Sequence, residues 1–131
     1  MIADTSAWVE FLRATGSRCD LRLRKALRAE QTVWVPSVVL QELLQGARNP
    51  AQFARLEVQL ERLPGLDELS PRDMARDAAL LYARCRWQGF TVRSPNDCVV
   101  AACAIATGLP VLAQDRDFEN IARIEPALQL A

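Results

Sequence analysis

Four acidic residues stand where a carboxylate could do chemistry, each beside a predicted strand or on a predicted helix. They are Asp4, Glu42, Asp97 and Asp115. If folding brings them together, their charges repel, and a site that holds all four ionised needs a compensating cation. A hard divalent ion with oxygen ligands, Mg²⁺ or Mn²⁺, suits such a site. Such an ion lowers the pKa of bound water and stabilises charge during attack on a phosphodiester, so the pattern predicts phosphodiester hydrolysis.

The opening of the chain is the centre of this hypothesis. A short apolar run, residues 1–3, ends in Asp4, and an amphipathic stretch follows. This pattern is typical of a buried strand that turns directly into a helix. In parallel α/β sheets, ligands collect beyond the carboxyl ends of strands, and Asp115 follows the apolar run 110–113 in the same way. A simpler interpretation is that Asp4 only caps the helix.

The other acids also have structural interpretations. Residues 94–97 read Ser-Pro-Asn-Asp, a helix start in which the acid stabilises the first turn. Residues 70–73 repeat this pattern at Asp73 with no sign of chemistry. Asp115 could cap the helical turn after it. Only convergence of the acids in space distinguishes a site from a set of caps.

Glu42 belongs to a predicted helix over residues 38–47. At 100° per residue it falls at the edge of the apolar stripe, beside the small Gly46. A carboxylate there does not face plainly into solvent, and the glycine leaves room for another group to approach it.

The composition limits the possible chemistry. The 131 residues carry no net charge and are half hydrophobic, which predicts one soluble domain over 1–131. The absence of histidine removes Ser-His and Cys-His nucleophile pairs. The four cysteines lack C-x-x-C spacing and are interpreted as reduced and structural. With no apolar run near ~20 residues and no visible signal peptide, we expect a cytoplasmic protein without a membrane span.

Strands and helices alternate along the chain, which predicts an α/β fold with a parallel sheet flanked by helices. The predicted strands are 1–3, 32–35 and 110–113, with 66–69 as a possible edge strand. The predicted helices are 7–12, 19–29, 38–47, 51–63, 71–88 and 98–106, and a last turn covers 119–122. The helix 98–106 is apolar nearly all round, so we expect it inside the core.

Four segments together resemble the PIN-domain family, and specifically its VapC-type toxins of bacterial or archaeal toxin–antitoxin pairs. They are I-x-D-T-S-A-W, E-L-L-Q-G, N-D-C-V-V-A-A-C-A and G-L-P-V-L-A-Q-D-R-D-F. In this order and spacing, the four segments extend over nearly the whole chain. The resemblance implies a three-layer α/β/α PIN-like fold with a small central parallel sheet. It also implies metal-dependent endoribonuclease activity, homodimers, and a cognate antitoxin whose tail fills the active-site groove.

Carried over by position, the resemblance makes Asp4, Glu42 and Asp97 the three core acids. Asp115 is the fourth, and Asp117 is a close neighbour; which of these two faces the metal stays open. In the mechanism that follows, water activated by a metal ion at the aspartates attacks phosphorus. Glu42 completes a second metal position or orients water.

Supporting roles are expected around these acids. The resemblance implies that Thr5 or Ser6 hydrogen-bonds Asp4 and holds its rotamer. Three arginines near the mouth of the site are candidates for holding the RNA backbone: Arg13, Arg93 and Arg116.

Two other functions are alternatives to RNA cleavage. Phosphotransfer through an aspartyl nucleophile normally needs a second acid close to the nucleophile and a lysine near the phosphate. Here Thr5 and Ser6 follow Asp4, and the only lysine, Lys25, lies in an early basic helix. The second alternative is a non-catalytic binding partner in a DNA-bound regulatory complex, with structural acids.

Overall fold

A small parallel sheet forms the centre of the fold. In the computed structural model, which describes residues 1–131, strand β1 (Ile2–Ala3) pairs in parallel with strand β2 (Val111–Leu112). Trp34 forms a parallel bridge with β1, and Leu130 forms one with β2. The order across the sheet is therefore Trp34, β1, β2, Leu130. The predicted parallel sheet is confirmed.

The register of the strands places Asp4 at the carboxyl edge of the sheet. Ile2 lies opposite Val111, and Ala3 lies opposite Leu112. The backbone N–H of Asp4 then donates to the carbonyl of Leu112 at 2.9 Å. All four strand residues are buried, which is why both strands appear in the sequence as continuous apolar runs.

Seven helices surround the sheet. They are α1 (Thr5–Leu12), α2 (Arg18–Arg28), α3 (Ser37–Gln45), α4 (Pro50–Leu60), α5 (Pro71–Trp87), α6 (Pro95–Thr107) and α7 (Asp117–Ile124). Helix α1 packs on α2 and α3, α3 packs on α4 and α6, and α5 packs on α6 and α7. This is the α/β class expected from the alternating pattern. None of the helices combines the length and the apolarity that a bilayer span requires.

Helix α6 lies in the core, as its apolar sequence predicts. It is buried along most of its length and contacts α3, α5, α7 and β2. It ends at Gly108, whose φ of +69° is the left-handed conformation that glycine adopts without a steric cost. The four cysteines are buried and free, as expected. The start of α6 therefore presents Asp97 from a rigid, buried element.

Two of the predicted strands need correction. The edge strand predicted for 66–69 is wrong: this segment is a turn, in which the N–H of Leu69 donates to the carbonyl of Leu66 at 3.1 Å. Asp67 and Glu68 lie at the turn and are exposed, and aspartate favours turns over strands. The strand predicted for 32–35 is reduced to a single bridge at Trp34.

The last helix is longer than predicted. The single turn expected at 119–122 extends over Asp117–Ile124. Phe118, Ile121 and Ile124 recur at three-residue spacing and are all buried in the core. This apolar face packs on α5 and α6, and it stabilises the longer helix.

Candidate metal centre

Asp4 ends β1 and caps α1 at the same time. Its Oδ2 accepts hydrogen bonds from the Ser6 backbone N–H at 3.0 Å and from the Ser6 hydroxyl at 2.6 Å. The same hydroxyl accepts from the Gln114 N–H at 3.0 Å, so Ser6 ties together the chain segments that leave both strands. The capping interpretation is confirmed. It does not make Asp4 a surface residue, because its side chain is buried.

Asp97 differs from the acid that shares its sequence pattern. The hydroxyl of Ser70 accepts the N–H of Asp73 at 3.3 Å, and Asp73 is exposed, as in an ordinary cap. Ser94 makes no side-chain cap. Asp97 is only 7% exposed, and its Oδ2 is buried without a hydrogen-bond partner. Helix capping therefore accounts for Asp73 but not for the position of Asp97.

Asp115 and Asp117 follow β2 and lie beside Asp97. One carboxylate oxygen from each of these three residues lies within 4.8 Å of the other two; we call them the aspartate trio. The N–H of Asp117 donates to Oδ1 of Asp115 at 3.0 Å, which holds the loop in a tight turn. Asp117 is buried and Asp115 is partly exposed. Both acids, rather than one of them, therefore lie against Asp97.

Glu42 lies outside the trio, on the side of Asp4. The hydroxyl of Thr5 donates to its Oε1 at 2.9 Å. Of the two hydroxyls expected to hold Asp4, only that of Ser6 does so, and Thr5 holds Glu42 instead. Burial raises the pKa of Asp4 above its ordinary value, and the charge of Glu42 raises it further, against the lowering by the Ser6 hydrogen bonds.

The charges of the other four acids all act on Asp97. The pKa of Asp97 is raised to about 8, first by burial and then by the charges of Asp4, Asp115, Asp117 and Glu42, in that order. A carboxyl group whose pKa is raised by four other carboxylates lies within electrostatic range of them, and the oxygens of the aspartate trio lie within 4.8 Å of one another. We call these five residues the carboxylate cluster. The acids are therefore not scattered caps.

The residues present fit a divalent cation. Buried polar atoms are nearly always hydrogen-bonded, so the unpartnered Oδ2 of Asp97 requires an explanation. The aspartate trio offers hard oxygen donors close to one another, which are the donors that Mg²⁺ and Mn²⁺ prefer. A bound ion would provide the missing partner and would neutralise the repulsion within the cluster.

The three arginines proposed as RNA contacts occupy different environments. Arg93 donates from Nη2 to Oδ1 of Asp115 at 2.8 Å, and its backbone N–H donates to Oδ2 of Asp117 at 2.9 Å. Its Nε also lies 3.5 Å from Oδ2 of Asp117. Arg13 and Arg116 are exposed and take no part in the ion pairs of the structure. Arg93 therefore belongs to the rim of the cluster, whereas the other two are free.

Comparison with known proteins agrees with this geometry. The PIN domain family profile matches residues 1–124. The chain is 40% identical over 125 residues to VapC ribonuclease Mb1587 of Mycobacterium bovis and to ribonuclease VapC11 of Mycobacterium tuberculosis. Both alignments cover 95% of this chain and 92% of the relative. The chain belongs to the PIN domain family. The VapC-type resemblance read from its four segments is confirmed.

Solved VapBC structures contain a chain of the same fold. The DNA-bound VapBC of Salmonella typhimurium superposes with a TM-score of 0.75 at 25% identity, covering 99% of this chain and 95% of that one. VapBC2 of Rickettsia felis, bound to a DNA fragment from its promoter, gives a TM-score of 0.72 at 21% identity, covering 99% and 96%. The predicted PIN-like fold is therefore confirmed over almost the whole chain.

Sequence reasoning missed two contacts in this PIN domain. It did not find that Ser6 also holds the loop after β2 through Gln114, or that Arg93 pairs with the acids. Both contacts join residues far apart in the chain, and no local pattern reports them. The one available signal was the position of Arg93 directly before the Ser-Pro helix start, which places it near Asp97.

Proposed function

We propose that this PIN domain is a metal-dependent endoribonuclease, the toxin of a toxin–antitoxin pair. The observation that carries the proposal is the buried, unpartnered Oδ2 of Asp97 within a cluster of carboxylates. Such a group is costly in a folded protein while it is ionised, and a bound cation offsets that cost. Relatives at 40% identity are ribonucleases by name, which supports RNA as the substrate.

We assign two kinds of role to these residues: the acids would hold metal ions or water, and two hydroxyls would position the acids. The aspartate trio, with Asp4, would hold Mg²⁺ or Mn²⁺, and Glu42 would hold a second ion or orient water. When bound, a divalent cation lowers the pKa of water and stabilises negative charge on the phosphate under attack. The hydroxyls of Thr5 and Ser6 fix the carboxylates of Glu42 and Asp4, so that little reorganisation is needed when substrate arrives.

The partners of the protein belong to the same proposal. Structures of similar fold are complexes named VapBC, and this supports a cognate antitoxin as the partner. The homodimer, the single domain over 1–131 and the cytoplasmic location remain predictions. Two of the VapBC structures contain DNA. That observation favours the second candidate function, in which the chain acts as a non-catalytic member of a DNA-bound regulatory complex.

RNA cleavage in the presence of Mg²⁺ or Mn²⁺ separates the two functions. We expect Asp97→Asn to lower the cleavage rate by more than the roughly 10- to 100-fold that is typical of residues beside a metal ligand. Asp73→Asn is the matched control, because Asp73 shares the Ser-Pro-x-Asp pattern, is exposed and lies outside the cluster. Equal cleavage by wild type and Asp97→Asn would contradict the nuclease proposal.

A further inference from the structure

A polar groove of about 410 Å³ runs between α1, α3 and α4 and reaches the carboxylate cluster. Thr5 and Glu42 lie in its lining and join it to the cluster. The rest of the lining includes Arg13, Arg48 and Arg55. We call this surface the arginine groove.

The three arginines give the groove a local positive charge in a chain whose net charge is zero. Arg13 caps the end of α1, Arg48 lies between α3 and α4, and Arg55 lies on α4. All three are exposed, and none forms an ion pair. Glu42 is the only acid in the lining, and its Oε1 already accepts from Thr5. The charges of the three arginines are therefore available to an anion.

We propose that the arginine groove binds the phosphodiester backbone of RNA and leads the strand to the carboxylate cluster. This inference rests on the function proposed above. A cluster of carboxylates repels phosphate, so a nuclease needs cationic groups next to it. Guanidinium groups fit phosphate oxygens with two parallel hydrogen bonds, and arginine rather than lysine is the only base in this lining.

The position of the groove favours RNA over an acidic protein segment. Glu42 belongs both to the groove lining and to the carboxylate cluster, so a strand held in the groove meets the cluster at Glu42. The side chains of Gln52 and Gln59 also line it and offer amide donors and acceptors to riboses and bases. Arg13 thus keeps its predicted role as an RNA contact, and Arg48 and Arg55 are added to it.

The test is RNA binding without cleavage. Fluorescence anisotropy in EDTA measures the affinity of a fluorescein-labelled, mixed-sequence single-stranded RNA over a range of salt concentrations. The groove variant combines R13Q, R48Q and R55Q. We expect its dissociation constant to rise at least about tenfold at low salt. We also expect the plot of log affinity against log salt to become less steep by about 2, since each phosphate contact on a single strand contributes roughly 0.7 to the slope.

A matched control separates the effect of the groove on RNA affinity from the effect of net charge. The control variant combines R72Q, R86Q and R123Q, three exposed arginines without ion pairs and outside the groove. Both variants carry a net charge of −3, since each loses three positive charges from a chain of net charge 0. We expect the control to bind RNA with nearly the affinity of wild type.

Three outcomes would overturn the inference. If the groove variant bound RNA as tightly as wild type, the groove would not be the RNA site and would be free to contact a protein instead. If both variants bound RNA equally weakly, net charge alone would explain the effect. In either case RNA cleavage by wild type, lost in Asp97→Asn, would leave the proposed function intact. No binding of RNA by wild type, together with no cleavage, would overturn both proposals.

Discussion

The hydroxyl of Thr5 donates a hydrogen bond of 2.9 Å to Oε1 of Glu42, 37 residues further along the chain. Its neighbour Ser6 donates from its own hydroxyl to Asp4 at 2.6 Å. Two consecutive hydroxyl residues therefore hold two different carboxylates of the cluster. Because both begin α1 directly after β1, the first turn of this helix positions acids from two elements.

Replacing Thr5 with valine tests this relationship. Thr5→Val keeps the shape of the side chain but removes the donor to Glu42. We expect the free energy of unfolding to fall by about 1 kcal/mol, since Glu42 is only partly buried and water replaces part of the lost bond. Urea denaturation measures the change. Thr5→Ser keeps the hydroxyl and should stay close to wild type; a Thr5→Val protein as stable as wild type would show that the bond contributes nothing.

Arg93 should compete with a divalent cation for the aspartate trio. Its guanidinium lies 2.8 Å from Oδ1 of Asp115, yet its side chain is 72% exposed and free to move away. We expect Arg93→Gln to bind Mn²⁺ several-fold more tightly, because no internal cation has to be displaced. The midpoint of a Mn²⁺ titration followed by melting temperature measures this affinity.

Arg116→Gln is the control for this titration, because Arg116 is exposed and lies next to Asp115 without an ion pair. Its removal changes the net charge equally and should leave the midpoint near that of wild type. Weaker Mn²⁺ binding in Arg93→Gln would contradict competition and would instead make Arg93 a support for the acids.

The raised pKa of Asp97 predicts how stability depends on pH in a chelator. The folded pKa of about 8 lies above the ordinary value of 3.8, so between these values the folded protein holds a proton that the unfolded chain releases. The free energy of unfolding should therefore fall as pH rises from about 4 to about 8, by up to about 1.4 kcal/mol per pH unit from this group.

Asp97→Asn removes that titration and should flatten the profile. A smaller fall of the same sign should remain, because the pKa of Asp4 is also raised. Asp73→Asn should keep the slope of wild type. Urea denaturation at a series of pH values measures each profile, and identical slopes in wild type and Asp97→Asn would show that Asp97 titrates normally.

Much of the fold was predictable because its signals are local. The apolar runs of β1 and β2, the Ser-Pro start of α6 and the stop at Gly108 each depend on a few adjacent residues. The turn at 66–69 was not predictable, because leucines around two acids fit an edge strand as well as a turn. The length of α7 depended on core contacts that only the folded chain provides.

The candidate site shows the same division. The acids could be selected by their places after strands and at helix starts, but Asp73 and Asp97 look alike in sequence. Asp97 differs from Asp73 in its burial and in the charges of distant residues near it. Both differences appear only when β1, α3 and the loop after β2 come together around the start of α6. The pairing of Arg93 with Asp115 spans 22 residues and has no local signature.

The most direct test is calorimetric titration of the metal-free protein with Mn²⁺. The central claim is that the carboxylates form one cluster that a divalent cation completes. We expect wild type and Asp73→Asn to bind the ion with equal affinity, and Asp97→Asn to lose most of the binding. Equal Mn²⁺ binding by wild type and Asp97→Asn, or no binding by wild type, would contradict the claim.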